Sequence, residues 1–127
     1  MSSYLCFYGI KNEERICIFA FGGCSEIYHT ITKNISIPFD KDRELTEEDL
    51  YSVLLTLDKD IEKLNNKIYE YERHASGSIE LVEEILSCKE YREEYFYVKA
   101  RIYTILDMVD QVKYGKDSFD KIICTIE

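Results

Sequence analysis

Positive charge is what this sequence most lacks. Its 16 Lys and Arg stand against 25 Asp and Glu, a formal charge of −9, and the cations are scattered with no basic run. Phosphate contact needs a clustered positive surface, so the balance argues against direct nucleic-acid binding. Long apolar stretches are missing too. None approaches the roughly 20 residues that span a bilayer, and the N-terminus has no basic region followed by an apolar core and cleavage site. The expectation is a cytoplasmic protein with no membrane contact. Tryptophan is absent, proline occurs once at Pro38, and the only histidines are His29 and His74.

These shortages exclude particular chemistries. Di-metal carboxylate bundles need a Glu followed three residues later by His on each of two core-facing helices, and of the two histidines only His29 has a Glu, Glu26, three residues before it. Five cysteines are present: Cys6, Cys17, Cys24, Cys88 and Cys124. An odd number without a secretory signal reads as reduced thiols. Cys17, Cys24 and His29 are the nearest cluster of soft ligands, but they lack the short paired knuckle of structural zinc. No strained elbow or glycine-rich turn presents a nucleophile. Gly22 and Gly23 precede Cys24 and Ser25 with no lysine in the phosphate-loop position, so a plain turn accounts for them. Tyr95 and Lys99 have a spacing used by some dehydrogenases, yet Tyr95 belongs to a helical seam and no phosphate loop accompanies it. The acidic residues lie mostly at helix starts and polar helix positions, where a solvated face suffices. No catalytic residue, metal or cofactor is expected.

What is present is a helical hairpin. Residues 46–74 carry Leu50, Leu54, Leu57, Ile61, Leu64, Ile68 and Tyr71 at alternating steps of four and three. Residues 78–114 carry Cys88, Tyr91, Tyr95, Val98, Ile102, Ile105, Val109 and Val112 in the same rhythm, so each helix has a heptad seam. Thr46 with Asp49 resembles a capping box, Ser78 can cap the second helix, and Gly77 suits the break between them. Acidic residues crowd the first turns, as the helix dipole favours. So short a link makes the helices antiparallel neighbours.

Before the hairpin, residues 4–10 and 15–21 are β-rich runs split by a polar stretch, a hairpin signature. The second run is apolar on both faces, with Ile16, Ile18 and Ala20 on one and Cys17, Phe19 and Phe21 on the other. It therefore predicts a central strand or one covered on both sides. Residues 25–37 are rich in β-branched side chains and predict a third strand, with a short helix from Ser25 as the rival reading. Pro38 stops pairing, and residues 39–45 form a polar link. Residues 119–127 predict a closing strand. The expected fold is α+β and a single domain over residues 1–127: a small antiparallel sheet (an N-terminal meander in residues 1–38 plus the C-terminal strand) with a long antiparallel helical hairpin in residues 46–114.

The second helix has more apolar surface than one seam requires. Ile79, Val82, Ile85 and Leu86 form a second stripe, and Phe96, Tyr97 and Tyr103 add aromatic area. A second copy could cover it, giving a homodimeric four-helix arrangement. Cations among these aromatics mark Arg92, Tyr95, Tyr97, Lys99 and Arg101 as candidate ligand- or partner-binding residues. Glu90, Glu93 and Glu94 interleave with them, which favours mixed surface pairing over a positive pocket. The function expected is non-enzymatic: an acidic interaction module, an inhibitor or adaptor binding a basic, nucleic-acid-handling protein. A phage or mobile-element defence inhibitor, or an immunity protein, would have this size and charge. The alternatives are a small-ligand or nucleotide-sequestering protein, and a small enzyme using a thiol or carboxylates.

Overall fold

The two N-terminal β-rich runs pair as the sequence predicts. In the computed structural model, which describes residues 3–22, 26–37, 41–74, 78–116 and 119–127, they are β1 (Tyr4–Lys11) and β2 (Glu14–Gly22). The turn is Asn12 and Glu13, both at positive φ, 51° and 69°. That conformation matches the twist of a two-residue hairpin; asparagine tolerates it, whereas glutamate adopts it against its steric preference. The Asn12 N–H donates to the Asp120 carboxylate at 3.1 Å, tying the turn to the chain just before the last strand. That strand, β4 (Lys121–Ile126), pairs with the other side of β1. Two residues, β3 (Arg43–Glu44), pair with β4, so the order is β2-β1-β4-β3 with every neighbour antiparallel.

Three expectations need correction here. β2 is an edge strand, not a central one, and Ile16 and Cys17 are exposed. A bulge explains how its apolar residues are shared out. Phe7 pairs with Phe19 but Tyr8 pairs with Cys17, leaving Ile18 as the extra residue. Cys17 therefore turns to the opposite face from Phe19 and Phe21. Second, residues 26–34 are not a strand but a helix, α1 (Glu26–Asn34). Ile27, Ile31 and Ile35 recur every four residues and are buried together in the core, and that tertiary gain outweighs the β preference of the branched side chains. Third, the polar link before the hairpin contributes β3. The expected turn at Gly22–Gly23, the stop at Pro38 and the break at Gly77 lie wholly or partly outside the described residues.

The hairpin is as expected. α2 (Glu47–His74) has 28 residues and α3 (Ile79–Lys113) has 35. At 1.5 Å per residue they reach about 42 and 52 Å, against about 27 Å for an eight-residue strand. Thr46 and Asp49 cap α2 reciprocally: the Asp49 N–H donates to Thr46 Oγ1 at 3.2 Å, and the Thr46 N–H donates to Asp49 Oδ2 at 3.0 Å. The Arg43 guanidinium grips the same carboxylate through both nitrogens, at 3.1 and 2.8 Å, and so ties β3 to the helix start. The Leu81 N–H donates to Ser78 Oγ at the start of α3. Its end closes on Gly115 at φ +67°, with the Gly115 and Lys116 N–H groups donating to the Val112 and Gln111 carbonyls.

One continuous core joins the inner sheet face (Leu5, Phe7, Phe19, Cys124), the three isoleucines of α1 and its extension, and the sheet-proximal parts of α2 and α3. Gly9 lies under the Phe119 ring so closely that a Cβ there would stand 2.6 Å from two ring carbons. Beyond the sheet the hairpin continues on a small cluster of its own, Ile68, Ile85 and Cys88 with Tyr71. Among the described residues, no helix is long and apolar enough to cross a membrane.

Candidate functional site

Residues of α1, α2 and α3 line a groove of about 440 Å³. Helical spacing builds it. Tyr91 and Tyr95 are one turn apart on α3, Lys63 and Lys67 one turn apart on α2, and Glu26 and Thr30 one turn apart on α1. The two tyrosine rings meet edge to face at 5.4 Å between centroids. The Asp60 carboxylate accepts from the hydroxyls of Tyr95 and Thr30 at 3.4 Å each. Both contacts exceed the ordinary hydroxyl–oxygen distance of roughly 2.7–2.8 Å, so Asp60 is loosely engaged. Tyr91 donates to Glu26 at 3.5 Å. Burial, and then the charge of Asp60, raises the Tyr95 hydroxyl above its usual range. Burial, and then the charge of Glu26, raises Tyr91. Both tyrosines stay protonated, so they serve as donors and ring walls rather than bases.

The five residues singled out from sequence are divided among several settings. Tyr95 is buried and lines the groove. Arg92 donates to Asn65 at 2.6 Å and lies over the Phe96 ring at 5.9 Å. Lys99 pairs with Asp58, whose hydrogen bond raises the lysine further, and lies over Tyr103. Tyr97 and Arg101 are the pair brought together. The guanidinium stands 5.3 Å from the Tyr97 ring and 5.9 Å from Phe19, with Tyr97 edge-on to Phe19 at 6.0 Å. These two therefore clamp α3 to the edge strand, while Tyr95 faces the groove. A ligand held between α3 and the sheet would meet Tyr97 and Arg101 but not Tyr95. The groove's remaining polar residues, Glu26, Thr30, Asp60, Lys63 and Lys67, were missed. Finding them required α1 to be read as a helix.

Two other places gather polar and charged side chains. A larger hollow of about 670 Å³ opens where α2 begins and α3 ends, but Glu47 and Lys113 pair across it at 3.5 Å and its remaining charges are mixed. On the outer sheet face Tyr8 donates to Glu127 at 2.9 Å, under the Arg15 guanidinium, which in turn pairs with Asp42. Cys6 Sγ also reaches Glu127, at 3.6 Å; burial and that carboxylate raise its pKa. Burial pushes the Cys124 thiol up to about 12. Neither thiol is a ready nucleophile at neutral pH. Of the soft-ligand cluster, Cys17 is exposed on β2, His29 is exposed on α1, and Cys24 lies outside the described residues. Among the described residues no three His, Cys, Asp or Glu side chains converge to hold a metal ion.

None of the protein families, curated proteins or solved structures compared with the chain matches it.

Proposed function

We propose that this protein works by binding another protein and not by catalysis: an acidic inhibitor or adaptor whose target has a basic surface of the kind that handles nucleic acid. One observation carries the reading. On α3, Glu80, Glu83, Glu90 and Glu94 follow one another at steps of three, seven and four, all exposed, along the N-terminal half of the helix. Over residues 80–94 six glutamates stand against only Lys89 and Arg92. An exposed acidic ridge attracts and orients a basic partner before contact, and it repels phosphate. A phage or mobile-element origin, or an immunity role, fits the size and charge.

The test compares the wild-type chain with the variant Glu83→Lys/Glu90→Lys/Glu94→Lys in affinity capture from the native host. The partner held by the wild type should be lost from the variant, and its affinity should fall steeply with added salt. A partner bound equally by both chains, or indifferently to ionic strength, would remove the electrostatic reading.

The groove supports a second reading, a small amphoteric ligand such as a nucleotide. Tyr91 and Tyr95 would wall its ring, Lys63 and Lys67 would meet its phosphate, and Asp60 would accept from its hydroxyl or amino groups. A thermal-shift screen against nucleotides separates the readings, because a ligand held by the native state raises Tm.

A further inference from the structure

α3 has a second row of residues turned away from the core. Ile79, Val82, Leu86, Lys89, Glu93, Phe96, Ala100 and Tyr103 follow one another at steps of 3, 4, 3, 4, 3, 4, 3 and are all exposed. The exposure is large for apolar side chains: 77% at Ile79, 56% at Leu86, 42% at Phe96. Eight residues at this rhythm form a heptad seam about 36 Å long, which no helix or strand among the described residues covers.

The order of the row names its occupant. It is symmetric about Tyr91, so a second α3 laid antiparallel puts Leu86 on the second copy's Phe96, Val82 on its Ala100 and Ile79 on its Tyr103. A large residue meets a smaller one in each layer. The two polar positions fall together at the centre, Lys89 on the second copy's Glu93, and the two-fold axis makes that pair twice. A parallel copy would instead set Lys89 on Lys89 and Glu93 on Glu93. We infer that this protein forms a two-fold homodimer through antiparallel α3 helices crossing at Tyr91, an isologous contact in which the seam is its own complement. In the single chain Lys89 reaches Glu72 only at 3.9 Å with both side chains about half exposed, so little is given up when it turns to the second copy. Glu90 lies beside its own copy at the rim, a repulsion that the apolar layers and the two central ion pairs must exceed. The inference does not depend on what the acidic ridge binds.

Sedimentation equilibrium of the full chain and three charge variants tests it. The wild type should be a dimer. Lys89→Glu sets glutamate against glutamate in both central layers, and Glu93→Lys sets lysine against lysine. Each should weaken association about tenfold or more. The double variant Lys89→Glu/Glu93→Lys should associate like the wild type. An equimolar mixture of the two single variants should form a mixed dimer that neither forms alone. Far-UV circular dichroism checks that the variants fold, which the exposure of both side chains favours. A wild type that stays monomeric at millimolar concentration, single variants that associate normally, or a mixture that stays apart would each overturn the proposal. A double variant that stays dissociated would overturn the antiparallel arrangement.

Discussion

Replacing Gly9 with alanine should destabilise the protein, and the sign should reverse when Phe119 is removed. In a strand interior alanine is intrinsically better than glycine by roughly 0.5–1 kcal/mol, because glycine loses more backbone freedom on folding. At this position the added Cβ would stand 2.6 Å from Phe119 Cδ1 and Cε1 and 2.7 Å from Cγ. Real Cβ atoms do not approach that closely, so the ring or the strand must move. The ring is half-buried against the core and β1 is paired on both sides, so neither moves freely. Overpacking of this kind costs about 1–3 kcal/mol. Set against the strand preference of alanine, the net loss is up to about 2.5 kcal/mol, which at about 2.1 cal/mol/K per residue of unfolding entropy lowers the Tm of the 127-residue chain by up to about 9 °C. The assay is urea unfolding of wild type, Gly9→Ala, Phe119→Ala and the double variant, followed by far-UV circular dichroism. Phe119→Ala costs stability on its own, but in that background Gly9→Ala should be neutral or stabilising, because the strand preference acts without the clash. If Gly9→Ala matched the wild type, or cost the same with and without the ring, the close approach would not be what requires glycine.

Other outcomes follow from the same contacts. Glu13→Gly should stabilise the hairpin by about 0.5–1 kcal/mol, since Glu13 sits at φ 69°; a loss in thermal unfolding would contradict the turn assignment. Leu57→Ala, at a fully buried position, should cost about 2–5 kcal/mol in urea unfolding. Thr46→Ala should cost about 1 kcal/mol by loss of one half of the reciprocal cap. The Cys124 thiol rises on folding from 9.0 to about 12, so the folded state holds its proton where the unfolded chain has lost it. Its contribution is complete below pH 9, declines as pH rises above that value, and is lost through about 12; Cys124→Val should flatten that part of the alkaline unfolding curve.

The hairpin was legible because several levels of the sequence agree. The seams, the Thr46–Asp49 and Ser78 caps, and the dipole-matched charges all name the same two helices, and the described residues fall where those signals place them. The branched side chains of α1 suggest a strand, although Ile27, Ile31 and Ile35 carry a four-residue rhythm. That rhythm was the better guide, since burial of one face decides what propensity leaves open. The edge position of β2 was hidden by its bulge: strict alternation through Ile18 makes both faces look apolar and hence central. β3 is too short to leave a pattern. The groove was only half legible, because Tyr95 lies on a readable seam while its partners Thr30, Glu26 and Asp60 are polar residues that converge only in three dimensions. The outward row of α3 was visible as surplus apolar surface; its symmetry emerges once exposure separates it from the inward seam.

α3 carries two seams, an inward one that holds the fold and an exposed outward one that we propose receives a second copy. The most direct measurement is the rate of maleimide labelling of Ala100→Cys, with Cys17 and Cys24 replaced by serine, as chain concentration is raised. Cys6, Cys88 and Cys124 are buried and contribute little background. The account predicts fast labelling in dilute solution, slowing as the thiol is covered by the second copy's Val82. A rate that stays slow at every dilution, or fast at every concentration, would contradict it.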